Sequence, residues 1–236
     1  MSAALPAASF GGAIDFIFGK QESNVTGGRK VGGLEQALEL TLKQLEVTLL
    51  ALALALVVAL PLGLWLGHRG RGELLAVGIG NAGRAIPELA LIALVAALIG
   101  VGMVTVTPAL AVLGVPPILT NAFVGVRQVD RAVVDAARGI GMSELEIVRK
   151  VELPLAVPTV MGGVRSAAIA IVATATIAPL AGVVTLGDYI INASIYGEDG
   201  RLAGAILVAL LALALEGALA LVQRLLTSDG LRLQTP

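Results

Sequence analysis

Cysteine is absent from the 236 residues, and histidine occurs once, at His68. The first absence excludes disulfides, thiolate catalysis and Cys-ligated metal sites, and a lone histidine at the end of an apolar run builds no metal site by itself. Charged residues make up only 14% of the chain, and its net charge of −1 comes with basic residues that are dispersed rather than clustered, so a nucleic-acid partner is excluded. No Gly-x-x-x-x-Gly-Lys-[Ser/Thr] run occurs: Gly19-Lys20 is followed by Gln21, and Gly28 precedes Arg29. Any ATP chemistry therefore belongs to another chain. Neither a nucleophile paired with a base nor a metal cluster is visible, so the chain is read as no enzyme and no cofactor is expected.

What the chain has in abundance is apolar length. Hydrophobic residues reach 57%, in charge-free stretches far longer than a core helix needs, which defines an all-α integral membrane protein in contact with membrane lipid. Residues 1–46 are mixed and too interrupted for a signal peptide. From Leu34, the residues Leu34, Ala37, Leu38, Leu42 and Leu45 share a face opposite Glu35, Glu39, Lys43 and Glu46, which predicts an external N-terminal segment ending in an amphipathic surface helix.

A transmembrane domain over 47–224 comes next. Val47 to Gly67 carries no charge and has the length of a first span, and His68, Arg69 and Arg71 behind it place that short loop in the cytosol and the N-terminus outside. A second span is expected from about Leu74 to Gly100, a turn from Gly100 to Thr107, and a third span from about Pro108 to Val126. The second encloses Arg84, Pro87 and Glu88; Arg84 and Glu88 stand one helical turn apart and neutralise each other there. Leu153 to Leu186 returns outward with Arg165 as its one charge, and Gly162, Gly163, Ser166 and Ala167 offer small-residue faces for helix packing. Leu202 to Leu221 is the last span. For Glu216 inside it, packing or hydrogen bonding is preferred over a proton relay. About five spans result, with a cytosolic tail over 225–236.

Between the third and fourth spans lies a polar interruption, Asp130 to Pro154. Asp130 is an N-cap, and Val133, Ala136, Ala137 and Ile140 recur at helical spacing until Gly139 and Gly141 stop the helix. Ser143 with Glu146 forms a capping box that starts a second helix, with Leu145, Val148 and Val151 as its apolar stripe up to Pro154. Two short helices joined at glycine, apolar on one side and charged on the other, have the shape of a docking element.

Asp135-Ala136-Ala137, then Gly141, then Val151-Glu152-Leu153-Pro154 resembles the E-A-A…G…I-x-L-P coupling loop of permease subunits of type I ABC importers, with Asp for Glu and Val for Ile. The resemblance covers roughly Val47 to Leu221. Its best match within that class is the osmoprotectant group, through Ile86-Pro87…Leu89-Ala90-Leu91 and the run Ala136 to Ser143. It implies an import path for a small solute such as glycine betaine, choline or carnitine, in the bacterial cytoplasmic membrane. It also implies three partners: a cytosolic ABC ATPase, a second permease subunit (identical or paralogous) and an extracytoplasmic substrate-binding protein. ATPase coupling would fall to Asp135, Ala136, Ala137, Gly141, Ser143, Glu146, Val151, Leu153 and Pro154. Arg84, Pro87, Glu88, Gly182, Leu186 and Gly187 are candidates for the pathway or its gate, where a structural ion pair between Arg84 and Glu88 stands as an equal reading. In the gate stretch, Val184 and Thr185 replace two glycines that the family carries. An amino-acid importer permease of the methionine kind is the alternative on the same scaffold. An ion-coupled secondary transporter is the alternative in another class, although no inverted repeat is evident.

Overall fold

The computed structural model describes residues 8–23, 25, 28–70, 72, 78 and 86–227. In chain order these form helix α1 (Phe10–Phe18), the strands β1 (Lys20–Glu22) and β2 (Lys30–Gly32), and the helices α2 (Leu34–Arg69), α3 (Glu88–Ile99), α4 (Met103–Arg127) and α5 (Arg131–Gly139). Then come α6 (Glu144–Ile147), a π-helical turn (Val148–Glu152), α7 (Leu153–Thr174), a 3-10 segment (Ala175–Ala181), α8 (Gly187–Ile191) and α9 (Ala193–Leu226).

Four described helical runs are long and apolar enough to cross a membrane: α2, α4, the run that contains α7, and α9. Of the remaining expected span, the described part is the shorter apolar helix α3, and Arg84 lies outside the described residues. The amphipathic stretch from Leu34 and the first span are one unbroken helix. Helix α4 begins at Met103 rather than near Pro108, because the chain reverses within Gly100 and Gly102, whose φ angles of 90° and 120° suit glycine.

The chain divides into two compact units, one of residues 1–50, 89–107 and 172–214, the other of 51–88, 108–171 and 215–236. In the first unit, Ser9 caps α1 by accepting the Gly12 N–H at 2.9 Å. The core of this unit gathers Ala13, Phe16, Val31, Ala37, Leu40, Leu186, Tyr189 and Ala203. Phe16 meets Tyr189 edge to face at 5.1 Å, and Tyr189 meets Tyr196 at 4.8 Å. These rings fit because Gly200 and Gly204, one turn apart on α9, carry no side chain: a Cβ would lie 2.7 Å from that of Tyr196 and 2.8 Å from that of Tyr189 respectively.

In the second unit, buried Leu110, Ile118, Leu119 and Ile171 are accompanied by close approach of backbones. A Cβ on Gly63 would lie 2.7 Å from the Leu119 carbonyl, and one on Gly163 would lie 2.6 Å from the Pro117 carbonyl. Of the small residues expected to pack, Gly163 and Ala167 do so, whereas Gly162 has open space and Ser166 is exposed.

Candidate functional site

The polar interruption folds as a hairpin of short helices with its own core. Asp130 caps α5 by accepting the Ala132 N–H at 2.9 Å. In the capping box at α6, the Ser143 N–H donates to Glu146 Oε2 at 3.1 Å while the Glu146 N–H donates back to Ser143 Oγ at 3.4 Å. The reversal falls at Gly141, whose φ is 87°; a Cβ there would meet nothing within 4 Å among the described residues, so conformation and not crowding selects glycine.

The inward face differs from the expected one. Val129, Val134, Ala137 and Ile147 form the core, while Val133 is 43% exposed, Ile140 82% exposed, and Ala136 exposed beside them. The stripe read from the sequence is thus largely on the outer surface of the hairpin, an apolar face without an internal partner. The second stripe is corrected too: Val148 is buried and Val151 half-buried, but Leu145 is 53% exposed. Beyond Val148 a π turn, in which the Leu153 N–H donates to the Val148 carbonyl five residues back, rotates the chain and brings Glu152 inward.

Charge is arranged around this hairpin in pairs. Arg138 grips Glu144 with two hydrogen bonds of 3.0 Å and reaches Asp135 at 3.2 Å. The hydrogen bonds and charge of Glu144 raise the Arg138 pKa above its usual value, and the same contacts hold the Glu144 carboxyl below its own. Glu146, hydrogen-bonded by Lys150 and by Ser143, is lowered to about 2.

His68, at the end of α2, was not legible as part of this site. Its Nδ1 lies 2.7 Å from Glu152 Oε2 and its Nε2 lies 2.8 Å from Glu144 Oε2. Glu152 is fully buried and its Oε1 has no hydrogen-bond partner among the described residues. Trp65 stacks on the imidazole at 6.0 Å, and Arg69 lies over the indole ring at 4.3 Å. The available signal was a lone histidine closing an apolar run together with a carboxylate inside the Val151 to Pro154 stretch.

The pathway and gate residues fall in different places. Pro87 and Glu88 are exposed at the start of α3, and Glu88 shares a cavity of about 220 Å3 with Leu113, Pro116, Pro117 and Ser166. Gly182, at φ 80°, ends the 3-10 segment and lines a cavity of about 900 Å3 with Gln36, Glu39, Asp188 and Tyr196. Leu186 is buried in the core of the first unit, and Gly187 is pressed against the Thr176 carbonyl. Thr185 is buried and donates to the Ala175 carbonyl at 2.9 Å, which braces this stretch.

Membrane-crossing helices interrupted by a self-contained two-helix loop define the permease class of membrane transporters. The profile of the family described as binding-protein-dependent transport system inner membrane component matches residues 59–228, and the chain belongs to that family. It is 37% identical over 198 residues to the choline transport system permease protein OpuBB of Bacillus subtilis, covering 84% of this chain and 91% of that one. The glycine betaine/carnitine/choline transport system permease protein OpuCB of the same organism is 36% identical over the same coverage. The carnitine transport permease protein OpuCB of Listeria monocytogenes is 35% identical over 81% of this chain and 88% of its own. Among solved structures, the inward-facing MetNI methionine ABC transporter superposes with a TM-score of 0.70 at 22% identity, covering 83% of this chain and 98% of that one. The fold is that of a type I importer permease, and the protein is a multi-pass inner-membrane component.

Proposed function

We propose that this chain forms the translocation path of an ATP-driven importer for a small quaternary-ammonium osmoprotectant of the glycine betaine, choline and carnitine kind. The observation that carries the substrate class is the set of relatives at 35–37% identity, each named for one or more of these solutes. The coupling role is supported by the hairpin of residues 130–154, which keeps a core of its own and leaves Val133, Ala136 and Ile140 outward.

A separate ABC ATPase grips that face from the cytosol, two permease subunits line the path, and an extracytoplasmic binding protein delivers the solute. Asp135, Ala136, Ala137, Gly141, Ser143 and Glu146 shape the docking hairpin; Val151, Leu153 and Pro154 join it to α7. Closure of the ATPase is transmitted into α4 and α7 and switches the path between outward and inward access. Pro87, Glu88, Gly182, Leu186 and Gly187 belong to the path or its gate, as does Arg84. The basic residues behind the first span set the hairpin and the C-terminal tail in the cytosol and residues 1–46 outside.

Uptake by proteoliposomes holding the permease with its ATPase and binding protein tests this. Labelled choline, glycine betaine or carnitine should accumulate only with ATP and binding protein. Uptake of methionine instead overturns the substrate class, and uptake driven by an ion gradient without the ATPase overturns the transporter class.

A further inference from the structure

The hairpin has to move something if it is to couple, and the structure limits what that is. Between α2 and the hairpin lies an open apolar groove of about 720 Å3 lined by Val58, Pro61, Trp65, Leu145, Val148 and Leu153, so tight packing does not join the two there. His68 joins them across this loose region. Its two ring nitrogens contact Glu144, at the head of α6, and Glu152, at the end of the π turn. The histidine side chain is only 6% exposed and Glu152 not at all, so water offers neither an easy substitute partner. With one oxygen of Glu152 unpartnered among the described residues, His68 supplies the hydrogen bond that these residues give this buried carboxylate. Pro61 lies inside α2, about two turns before His68. Proline lacks the N–H that would bond the preceding turn, so α2 has a point at which its cytosolic end can bend.

Building on the docking role proposed above, we infer that His68 is a positioning residue. It locks the end of α2 beyond Pro61 to both ends of the α6 and π-turn segment, so that this end of the first span, bending at Pro61, moves with the hairpin. Without it the hairpin would still dock, but its displacement would be lost in the apolar groove.

The test uses the complete transporter in proteoliposomes. Because H68L alone strands a buried carboxylate and risks misfolding, H68L/E152L removes both groups, and H68Q keeps a donor of similar reach. In H68L/E152L the solute imported per ATP should fall by about tenfold through kcat, with the KM for solute-loaded binding protein unchanged. H68Q should recover part of that loss. A wild-type import ratio in H68L/E152L overturns the inference, as does a loss confined to the amount of assembled complex. Cross-linking of I140C to a cysteine on the ATPase reports docking separately. Cross-linking with an undiminished ratio in H68L/E152L refutes the role of His68 alone, and failure to cross-link in the otherwise wild-type chain refutes the docking and the inference with it.

Discussion

Arg165 on α7 donates from Nε to Glu216 Oε1 on α9 at 2.8 Å, and its Nη1 donates to Gln223 at 2.9 Å. The two ionisable groups that stand inside the apolar runs of these helices are therefore partners. The pairing supports hydrogen bonding for Glu216 and leaves no reason to assign it to a proton relay. In Glu216→Ala the arginine loses its counter-charge in a membrane span, a situation worth about 3 kcal/mol on insertion scales. Arg165→Met with Glu216→Met should unfold later than Glu216→Ala in thermal scans of the detergent-solubilised protein. Equal melting of the two would mean that the pair contributes nothing.

Gly141 sits in the left-handed region with open space around it. Leucine there would strain the backbone by roughly 1–2 kcal/mol, whereas asparagine tolerates the conformation. Gly141→Leu should lower solute-stimulated ATP hydrolysis and uptake together, and Gly141→Asn should leave both close to wild type. If leucine and asparagine behave alike, backbone conformation is not what the position requires.

Two glycines separate packing from helix propensity. A Cβ on Gly187 would overlap the Thr176 carbonyl, so Gly187→Ala should destabilise by about 1–3 kcal/mol or more. Among the described residues nothing lies within 4 Å of a Cβ on Gly162, inside α7, and Gly162→Ala should gain up to about 1 kcal/mol from propensity alone. Denaturation of the isolated subunit should order the three proteins Gly162→Ala, wild type, Gly187→Ala.

Quaternary ammonium ions are held by cages of aromatic faces, since they donate no strong hydrogen bond. Phe16 and Tyr189 are packed into the core of the first unit and Phe123 is buried, while Tyr196 in the cavity of about 900 Å3 and Trp65 in the groove of about 720 Å3 each stand there without a second ring, among the described residues, to complete a cage. Selection should therefore fall to the binding protein. Calorimetric titration of the purified permease pair with choline or betaine should show no binding tighter than about millimolar, roughly 4 kcal/mol. Micromolar binding would require a transmembrane site built across two subunits.

The parts of the hairpin written in local chemistry were readable from the residues: the Asp130 cap, the Ser143 and Glu146 box, and the glycine reversal each depend on neighbours within four positions. Glu152 was not, because a single π turn rephases the face of the chain, and nothing in the run Val148 to Glu152 announces it. The same holds for Phe16, a residue in a short apolar run whose core partners Leu186 and Tyr189 come from far along the chain. The α3 region resisted for another reason: an apolar stretch without caps leaves its boundary to packing, and the neighbourhood of Arg84 lies outside the described residues.

Gln44 gives the chain a schedule. It is fully buried on α2, and its Nε2 donates at 2.9 Å to the carbonyl of Val172, 128 residues further on. At about 5–20 residues per second, a ribosome needs on the order of ten seconds to make that stretch. Throughout this interval the first helix is already synthesised while its amide has no native acceptor. During biogenesis, the amide must therefore be sheltered by the insertion machinery or by headgroup water until α7 arrives, and the end of α7 sets the earliest moment at which this buried hydrogen bond can form.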